Sequence, residues 1–262
     1  MNLDLKNKRA LVCGSTQGIG KAVALELAAL GASVTLVARN EQSLKQVKSE
    51  LSAAPHQLHS YLVADFNQPA ELKPLVEQFI QRSGPVNILV NNTGGPPAGP
   101  ILQARPEEFL AAINSHLICN HILAQACVEG MKMSGYGRII NIISTSVKLP
   151  LPNLGVSNTV RAAVGNWAKT LANELGRYGI TVNNVLPGAT ATQRLSGIIE
   201  NKALKTGTEL QAVREEMLHE IPLGRFAEPS EVANAVAFLA SPAAAYINGI
   251  NIPVDGGRTG NL

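Results

Sequence analysis

Short apolar runs alternate with longer stretches of helical periodicity along most of this chain. Such alternation is typical of βαβ units, in which crossover helices join parallel strands. We therefore predict an α/β fold, a doubly wound parallel seven-stranded sheet with helices on both faces. The predicted strands are 9–13, 33–38, 59–64, 86–91, 138–144, 180–186 and 250–254, and the predicted helices are 18–30, 41–53, 69–82, 106–132, 157–177 and 229–240.

The sequence contains no linker-like tract and no internal repeat, so we expect one domain over residues 1–262. Hydrophobic residues make up 45% of the chain, which is enough for a large aliphatic core. Residues 190–225 depart from the alternation, because Gly197, Gly207 and Gly224 interrupt a polar, amphipathic stretch. We expect this segment to form a mobile helical lid over the substrate.

A glycine-rich segment, Gly14–Gly20, connects the first predicted strand to the first predicted helix. Glycine permits a sharp turn and the close approach of a pyrophosphate, and the helix that follows offers free N–H groups to this anion. The alternative is an ordinary tight βα loop. The position directly after the first strand favours a dinucleotide site.

The end of the second predicted strand indicates which dinucleotide binds. An acid at this position, about twenty residues beyond the glycine turn, selects NAD. Here Ala38 is followed by Arg39, whose guanidinium suits the 2′-phosphate of NADP. The alternative is a solvated cation at a strand end. We predict NADP as the cofactor, with NADPH preferred over NADH.

Several segments together resemble the short-chain dehydrogenase/reductase family over essentially the whole chain. They are the turn Cys13–Gly20, Asp65-Phe66, Asn91-Asn92-Thr93-Gly94, Pro187-Gly188 with Thr192, and Val254-Asp255-Gly256-Gly257. The resemblance implies a Rossmann fold. It also implies that the cofactor is bound by Gly14, Ser15, Thr16, Gln17, Gly18, Ile19, Gly20, Arg39, Asp65, Phe66, Asn92, Thr93, Gly94, Arg161, Pro187, Gly188 and Thr192.

The family's proton-transfer residues are altered. Its supporting Ser resembles Ser144, and its Tyr and Lys then fall on Ser157 and Arg161. A serine hydroxyl is a far weaker acid than a tyrosine, whose reference pKa is near 10. Arginine keeps the positive charge of lysine but does not give up a proton. Asn114 resembles the family's Asn that holds a water in the relay, so the predicted catalytic residues are Asn114, Ser144, Ser157 and Arg161.

No other side chain is a convincing proton donor by position. Tyr61, Tyr136, Tyr178 and Tyr246 fall in segments that are predicted to lie away from the pocket. His116 lies two residues beyond Asn114. A helix turns about 100° per residue, so we expect His116 to face away from the site and to be structural.

Two functions remain open. The first is an NADP-dependent oxidoreductase acting on a carbonyl or an alcohol, of the 3-oxoacyl reductase kind that the C-terminal half most resembles. The second is a catalytically silent NADP-binding sensor or structural protein, because fold and cofactor pocket do not establish turnover. The retained Ser144 and Asn114 favour an enzyme. The resemblance also implies a homo-oligomer, as a tetramer or dimer, that is built by helices 106–132 and 157–177 and the last strand.

Charge, hydropathy and cysteine content limit the kinds of partner and the cellular location that we expect. The net charge is +3, but no dense basic run indicates nucleic acid. No apolar run reaches the eighteen or so residues of a membrane span. Cys13, Cys119 and Cys127 lack a Cys-x-x-Cys spacing and indicate reduced thiols in the cytoplasm. The histidines and cysteines show no metal-ligand spacing, so we expect no metal site.

Overall fold

The computed structural model describes residues 1–260 of the chain. Seven parallel strands form one sheet in the order β3-β2-β1-β4-β5-β6-β7. The strands are β1 (Arg9–Cys13), β2 (Ser33–Ala38), β3 (Ser60–Val63), β4 (Ile88–Asn91), β5 (Gly137–Ile142), β6 (Ile180–Pro187) and β7 (Asn251–Val254). All seven predicted strands are confirmed, with ends that differ by two residues at most.

Nine α-helices accompany the sheet within the described residues. They are α1 (Gly18–Ala29), α2 (Glu41–Glu50), α3 (Pro69–Ser83), α4 (Pro106–Ile113), α5 (Cys119–Ser134), α6 (Gly155–Leu175), α7 (Gln193–Thr206), α8 (Leu210–His219) and α9 (Pro229–Ala240). The last two residues of the predicted domain, 261 and 262, lie outside the described residues.

The core has two layers because each central strand is buried on both faces. Val12 of β1 packs with buried side chains of α1, α2 and α9. Its neighbours Leu11 and Cys13 point the other way and pack with α3, α5 and α6. Strands that are covered on both sides need continuous apolar sequence, which explains why they were recognisable as apolar runs. This is the doubly wound arrangement that the sequence predicted.

The strand order reverses between β1 and β4, since β2 and β3 lie on one side of β1 and the later strands lie on the other. In open α/β sheets a ligand binds in the crevice beyond the carboxyl ends of the strands at such a reversal. The glycine turn follows β1 and Asn92 follows β4. The fold therefore brings these two segments together.

The predicted helix 106–132 is interrupted in the structure. A π-helical turn at Asn114–Ile118 separates α4 from α5. Such wide turns inside α-helices occur frequently at functional sites. Further along, residues 190–225 form α7 and α8 as expected for a helical insertion, and these helices pack on each other through a small apolar cluster of Leu195, Ile199, Ala203, Val213, Ile221 and Phe226.

Candidate active site

The glycine turn is held tightly against the end of β4. Gly14 has a φ of 59°, which favours glycine. A β-carbon on Gly20 would lie 2.1 Å from the carbonyl oxygen of Gly14, so no larger residue fits there. The Asn92 Nδ2 donates to the carbonyl oxygens of Cys13 and Gly14, each at 3.2 Å. These contacts fix the turn from both sides.

The remaining residues of the turn divide into inward and outward positions. Ser15 is fully buried and its hydroxyl accepts from the backbone N–H of Val37, so this side chain ties the turn to β2. Thr16 and Ile19 are half-buried and Gln17 is exposed. Helix α1 begins without a side-chain cap and without an acidic residue in its first turn. Its amino end therefore offers N–H groups to an anion.

Arg39 and Asp65 follow β2 and β3 at the same edge of the sheet as this turn. Arg39 is exposed and has no carboxylate partner within residues 1–260. Asp65 is half-buried, and its carboxylate accepts from the backbone N–H of Asn67 at 3.0 Å. The neighbouring Phe66 is half-buried and packs on the core. The backbone N–H of Gly14 donates to the carbonyl of Val37, which places the end of β2 next to the glycine turn.

A ladder of asparagine amides crosses four strands just below the site. Asn91 donates to Asn141, Asn141 to Asn184 and Asn184 to Asn251, each at 2.8 Å. The four residues are in register on β4, β5, β6 and β7. Each amide fixes the strand beside it, so the ladder sets the relative position of Asn92 and the segments that follow β5 and β6. This ladder was not predicted from the sequence.

Ser157 and Arg161 lie one helical turn apart on α6 and face the end of β5. The Arg161 Nε donates to the Ser157 hydroxyl at 3.1 Å, and its Nη1 donates to the carbonyls of Ile142 and Ile143 at 3.3 and 2.7 Å. Ser157 is only 6% exposed. Burial and the positive charge of Arg194 lower the pKa of Arg161 to about 10. The guanidinium is thus fixed in place and stays charged at neutral pH.

Because the Ser157 oxygen accepts a hydrogen bond from Arg161, its own proton is free to be donated elsewhere. Ser144 is half-buried at the end of β5 and its hydroxyl accepts from the backbone N–H of Ser146 at 3.1 Å. Both hydroxyls therefore have a backbone or arginine donor on their oxygen. Each can still give a hydrogen bond to a ligand.

The structure brings His116, rather than Asn114, to these arginines. Asn114 is exposed, whereas His116 is 4% exposed and lies within electrostatic reach of Arg161 and Arg194. Burial and the charge of Arg161 lower the pKa of His116 to about 3, while a hydrogen bond to the backbone of Gly94 opposes this shift. The expectation that His116 faces away from the site was wrong. The two residues do face opposite sides, but their assignment was reversed.

The burial pattern of the helix explains the reversal. Buried side chains recur at Ala112, His116, Asn120, Leu123 and Cys127, which is the spacing of one helix face. His116 belongs to this inward stripe and Asn114 does not. This spacing is visible in the sequence and could have identified His116.

The amino end of α7 closes the site from the other side. Arg194 donates to the carbonyl oxygens of Gly95 and Pro96 at 3.1 and 3.0 Å. Thr192 caps α7, and its methyl carbon would lie 3.2 Å from a β-carbon on Gly18. The segment after β6 therefore lies directly against the glycine turn and the loop after β4. Arg194 was not predicted to be a site residue.

Pro187 and Gly188 connect β6 to this closing segment. The backbone N–H of Gly188 donates to the carbonyl of Val254 at 2.9 Å, and a β-carbon on Gly188 would lie 2.7 Å from the Asp255 side chain. The loop after β4 faces them, with Thr93 half-buried and Gly94 exposed. Most of the residues that the resemblance assigned to the cofactor thus border one crevice at the carboxyl ends of the strands.

The four tyrosines lie elsewhere, as expected. Tyr61 donates to Glu41 at 2.9 Å, Tyr136 donates to the carbonyl of Ala240, and Tyr246 is exposed. Tyr178 lies in the short turn after α6. None of them hydrogen-bonds to Ser157 or Arg161, so the tyrosine that the family uses for proton transfer has no replacement among the described tyrosines.

Two further features are absent from the described residues. Within residues 1–260, no helix combines the length and apolar character that a membrane crossing requires. In the same part of the chain, no group of three or more His, Cys, Asp or Glu side chains is arranged to hold a metal ion. Cys13, Cys119 and Cys127 are buried free thiols, as the sequence predicted, and burial raises the pKa of both Cys119 and Cys127 to about 12.

Comparison with known proteins gives matches over nearly the whole chain. The family model described as enoyl-(acyl carrier protein) reductase matches residues 14–259. A 3-oxoacyl-[acyl-carrier-protein] reductase, FabG, from Pseudomonas aeruginosa is 35% identical, covering 97% of this chain and 98% of that protein. The NADPH-dependent reductase BacG of Bacillus subtilis is 30% identical over 97% of this chain and 98% of its own length.

Solved structures show the same architecture. L-sorbose reductase from Gluconobacter frateurii, complexed with NADPH and L-sorbose, superimposes with a TM-score of 0.92 at 30% identity and with complete coverage of both chains. A protein from Beutenbergia cavernae with bound NADP, described as a putative NAD(P)-dependent gluconate 5-dehydrogenase, gives a TM-score of 0.90 at 26% identity, again covering 100% of each chain.

Proposed function

Because the chain belongs to the short-chain dehydrogenase/reductase family and is an NADP-dependent oxidoreductase of carbonyl or alcohol groups, we propose that it prefers NADPH to NADH. We further propose that it reduces a small carbonyl compound without the family's tyrosine. Two of the solved structures named above contain NADPH or NADP. The single observation that carries the preference for NADPH is Arg39, which has no carboxylate partner within residues 1–260 and follows the strand whose end is hydrogen-bonded to the glycine turn.

The residues present fit NADP. The pyrophosphate would lie at the uncapped amino end of α1, where Gly18, Ile19 and Gly20 expose backbone N–H groups. Arg39 would hold the 2′-phosphate, and Asp65 with Phe66 would border the adenine. Further along the crevice, Asn92, Thr93 and Gly94 would lie along one side of the cofactor, and Pro187, Gly188 and Thr192 along the other.

When it is bound, NADPH supplies the hydride for carbonyl reduction. Ser157 and Ser144 are the hydroxyls that would donate to the substrate oxygen, with solvent replenishing the proton. Arg161 would hold the nicotinamide ribose and stabilise negative charge that develops on the oxygen, because its guanidinium is fixed by two carbonyls. Loss of the tyrosine slows proton transfer, since general acid catalysis contributes typically about 10²–10⁴-fold.

The proposal extends to the substrate class and the assembly. A 3-oxoacyl compound is one candidate substrate, since FabG relatives carry that activity in their names. A homo-oligomer, as a tetramer or dimer, is supported by exposed Leu110, Ile118, Ala162 and Ala163 on α4, the π turn and α6. The edge strand β7 also has no neighbour on one side within residues 1–260. The three reduced thiols favour a cytoplasmic location.

Fluorescence titrations with NADPH and NADH test the cofactor proposal. The native protein should bind NADPH at least tenfold more tightly than NADH. Arg39→Gln should weaken NADPH binding roughly 10–100-fold, because a hydrogen bond to a charged group contributes about 1.5–3 kcal/mol. NADH binding should not change. The control is Arg82→Gln, which removes an exposed arginine on α3.

Equal affinity of the native protein for both cofactors, or an Arg39→Gln variant that binds NADPH normally, would contradict the preference. If neither cofactor binds, the cofactor site itself is refuted. If NADPH binds but no carbonyl compound is reduced, the protein is the silent NADP-binding sensor or structural protein that the altered Ser157 and Arg161 left open.

A further inference from the structure

Two arginines converge on one point of the crevice. A β-carbon placed on Gly95 would lie 2.8 Å from Nη2 of Arg194 and 3.1 Å from Nη2 of Arg161. Arg161 reaches this point from α6 and Arg194 from the first turn of α7, so two separate elements aim a positive charge at the same small volume. The Nη2 of Arg161 makes no hydrogen bond within the described residues.

Neither charge is compensated by the protein. Within residues 1–260, Arg161 and Arg194 have no carboxylate partner, whereas Arg225 and Arg258 are each paired with a glutamate. All hydrogen bonds of the two convergent arginines go to carbonyl oxygens or to the Ser157 hydroxyl. Like charges that face each other in a half-buried place repel, and an anion between them removes the repulsion. The arrangement therefore fits a ligand that carries negative charge.

The phosphates of the cofactor would have other partners. The amino end of α1 and Arg39 lie after β1 and β2, while Arg161 is fixed to the carbonyls that follow β5. The nicotinamide ribose that Arg161 would hold is neutral and would leave both positive charges uncompensated. The remaining ligand of the crevice is the substrate.

His116 supplies an independent sign of a ligand at this place. It is 4% exposed, and its Nε2 has no hydrogen-bond partner within the described residues. A buried polar atom without a partner is costly and usually marks a ligand or water position. Since Nε2 has no partner, the hydrogen bond to the backbone of Gly94 belongs to Nδ1, and the unprotonated Nε2 of the neutral ring is an acceptor. An alcohol hydroxyl would supply the hydrogen-bond donor that Nε2 lacks.

We propose that Arg161 and Arg194 bind the carboxylate of an oxo acid substrate, with His116 facing the oxygen of the corresponding hydroxy acid. The inference rests on the proposed function and narrows its substrate to carbonyl compounds with a carboxylate near the reacting carbon. A guanidinium pair suits this group, since arginine binds carboxylates through two parallel hydrogen bonds.

Calorimetric titrations with matched ligands test the proposal. The probes are 2-oxobutanoate and benzoylformate, each compared with its methyl ester, titrated into the full-length protein alone and with NADP⁺, which permits binding without reduction. At least one acid should bind at least tenfold more tightly than its ester. Arg194→Gln should abolish this difference while leaving the NADPH affinity within twofold. Lys205→Gln, which removes an exposed charge on the same helix, should change neither.

Equal binding of every acid and its ester by the native protein, including no binding of either, would overturn the inference. So would an Arg194→Gln variant that loses NADPH affinity tenfold, because the arginine would then serve the phosphates of the cofactor. The proposed function fails separately. If NADPH does not bind but an acid still binds through Arg194, the carboxylate subsite stands without the reductase.

Discussion

Replacing His116 with asparagine should remove part of the acid sensitivity of the fold. Burial and the neighbouring Arg161 hold the pKa of His116 at about 3, well below the 6.5 of a free histidine. At pH 7.5 the ring is neutral in both the folded and the unfolded chain. At pH 5.0 His116 binds a proton in the unfolded chain but not in the folded protein, so the equilibrium shifts toward unfolding.

The size of this effect follows from the two pKa values. Each pH unit between them costs about 1.4 kcal/mol, so lowering the pH from 7.5 to 5.0 should cost the native protein about 2 kcal/mol through His116 alone. His116→Asn should escape this loss. Other groups titrate equally in both proteins and cancel in the comparison.

Urea unfolding at pH 7.5 and 5.0, at one protein concentration, measures the difference. The free energy of unfolding should fall by about 2 kcal/mol less in His116→Asn than in the native protein. The matched control is His56→Asn, because His56 is exposed and its removal should leave the pH dependence unchanged. If native protein and His116→Asn lose the same stability on acidification, His116 is not held neutral and the described packing around it is wrong.

Two further variants test the frame of the site. Gly20→Ala would place a methyl group 2.1 Å from the Gly14 carbonyl oxygen and should abolish NADPH binding in a fluorescence titration. The control is Gly197→Ala, which has open space around the new methyl group. This variant should bind NADPH normally and gain up to about 1 kcal/mol in the free energy of unfolding. Asn141→Ala leaves two buried amide partners unsatisfied and should lower the urea-measured free energy of unfolding by about 2–4 kcal/mol. Asn166→Ala, on the exposed face of α6, should stay within about 0.5 kcal/mol of the native value, and an equal loss in both variants would refute the ladder's role.

The sheet was predictable because its strands are buried on both faces. An apolar run such as Ala10-Leu11-Val12 predicts a central strand, and the glycine turn that follows it indicates the position of the crevice. The family resemblance placed Ser157 and Arg161 one helical turn apart, and the two side chains are hydrogen-bonded to each other on α6. A feature can be predicted from sequence spacing when all of its residues lie on one helix or strand.

The convergence of different elements was not predictable in this way. Arg194 lies about a hundred residues from Gly95, and only the closure of α7 over the crevice brings them together. The asparagine ladder needs four strands in one register, which no single strand reveals. His116 was misassigned because Asn114 matched the family residue type, while the helical burial stripe was not weighed against that match.

The most direct test of the central claim is NADPH oxidation by the native protein, followed by absorbance with a panel of carbonyl compounds that includes oxo acids and 3-oxoacyl thioesters. The Ser157→Tyr, Arg161→Lys double variant, which restores the family's residues, serves as the comparison. The account predicts that the native protein oxidises NADPH with at least one of these compounds and reduces it to the alcohol. Turnover by the double variant alone would show that the native chain binds the cofactor without catalysing hydride transfer.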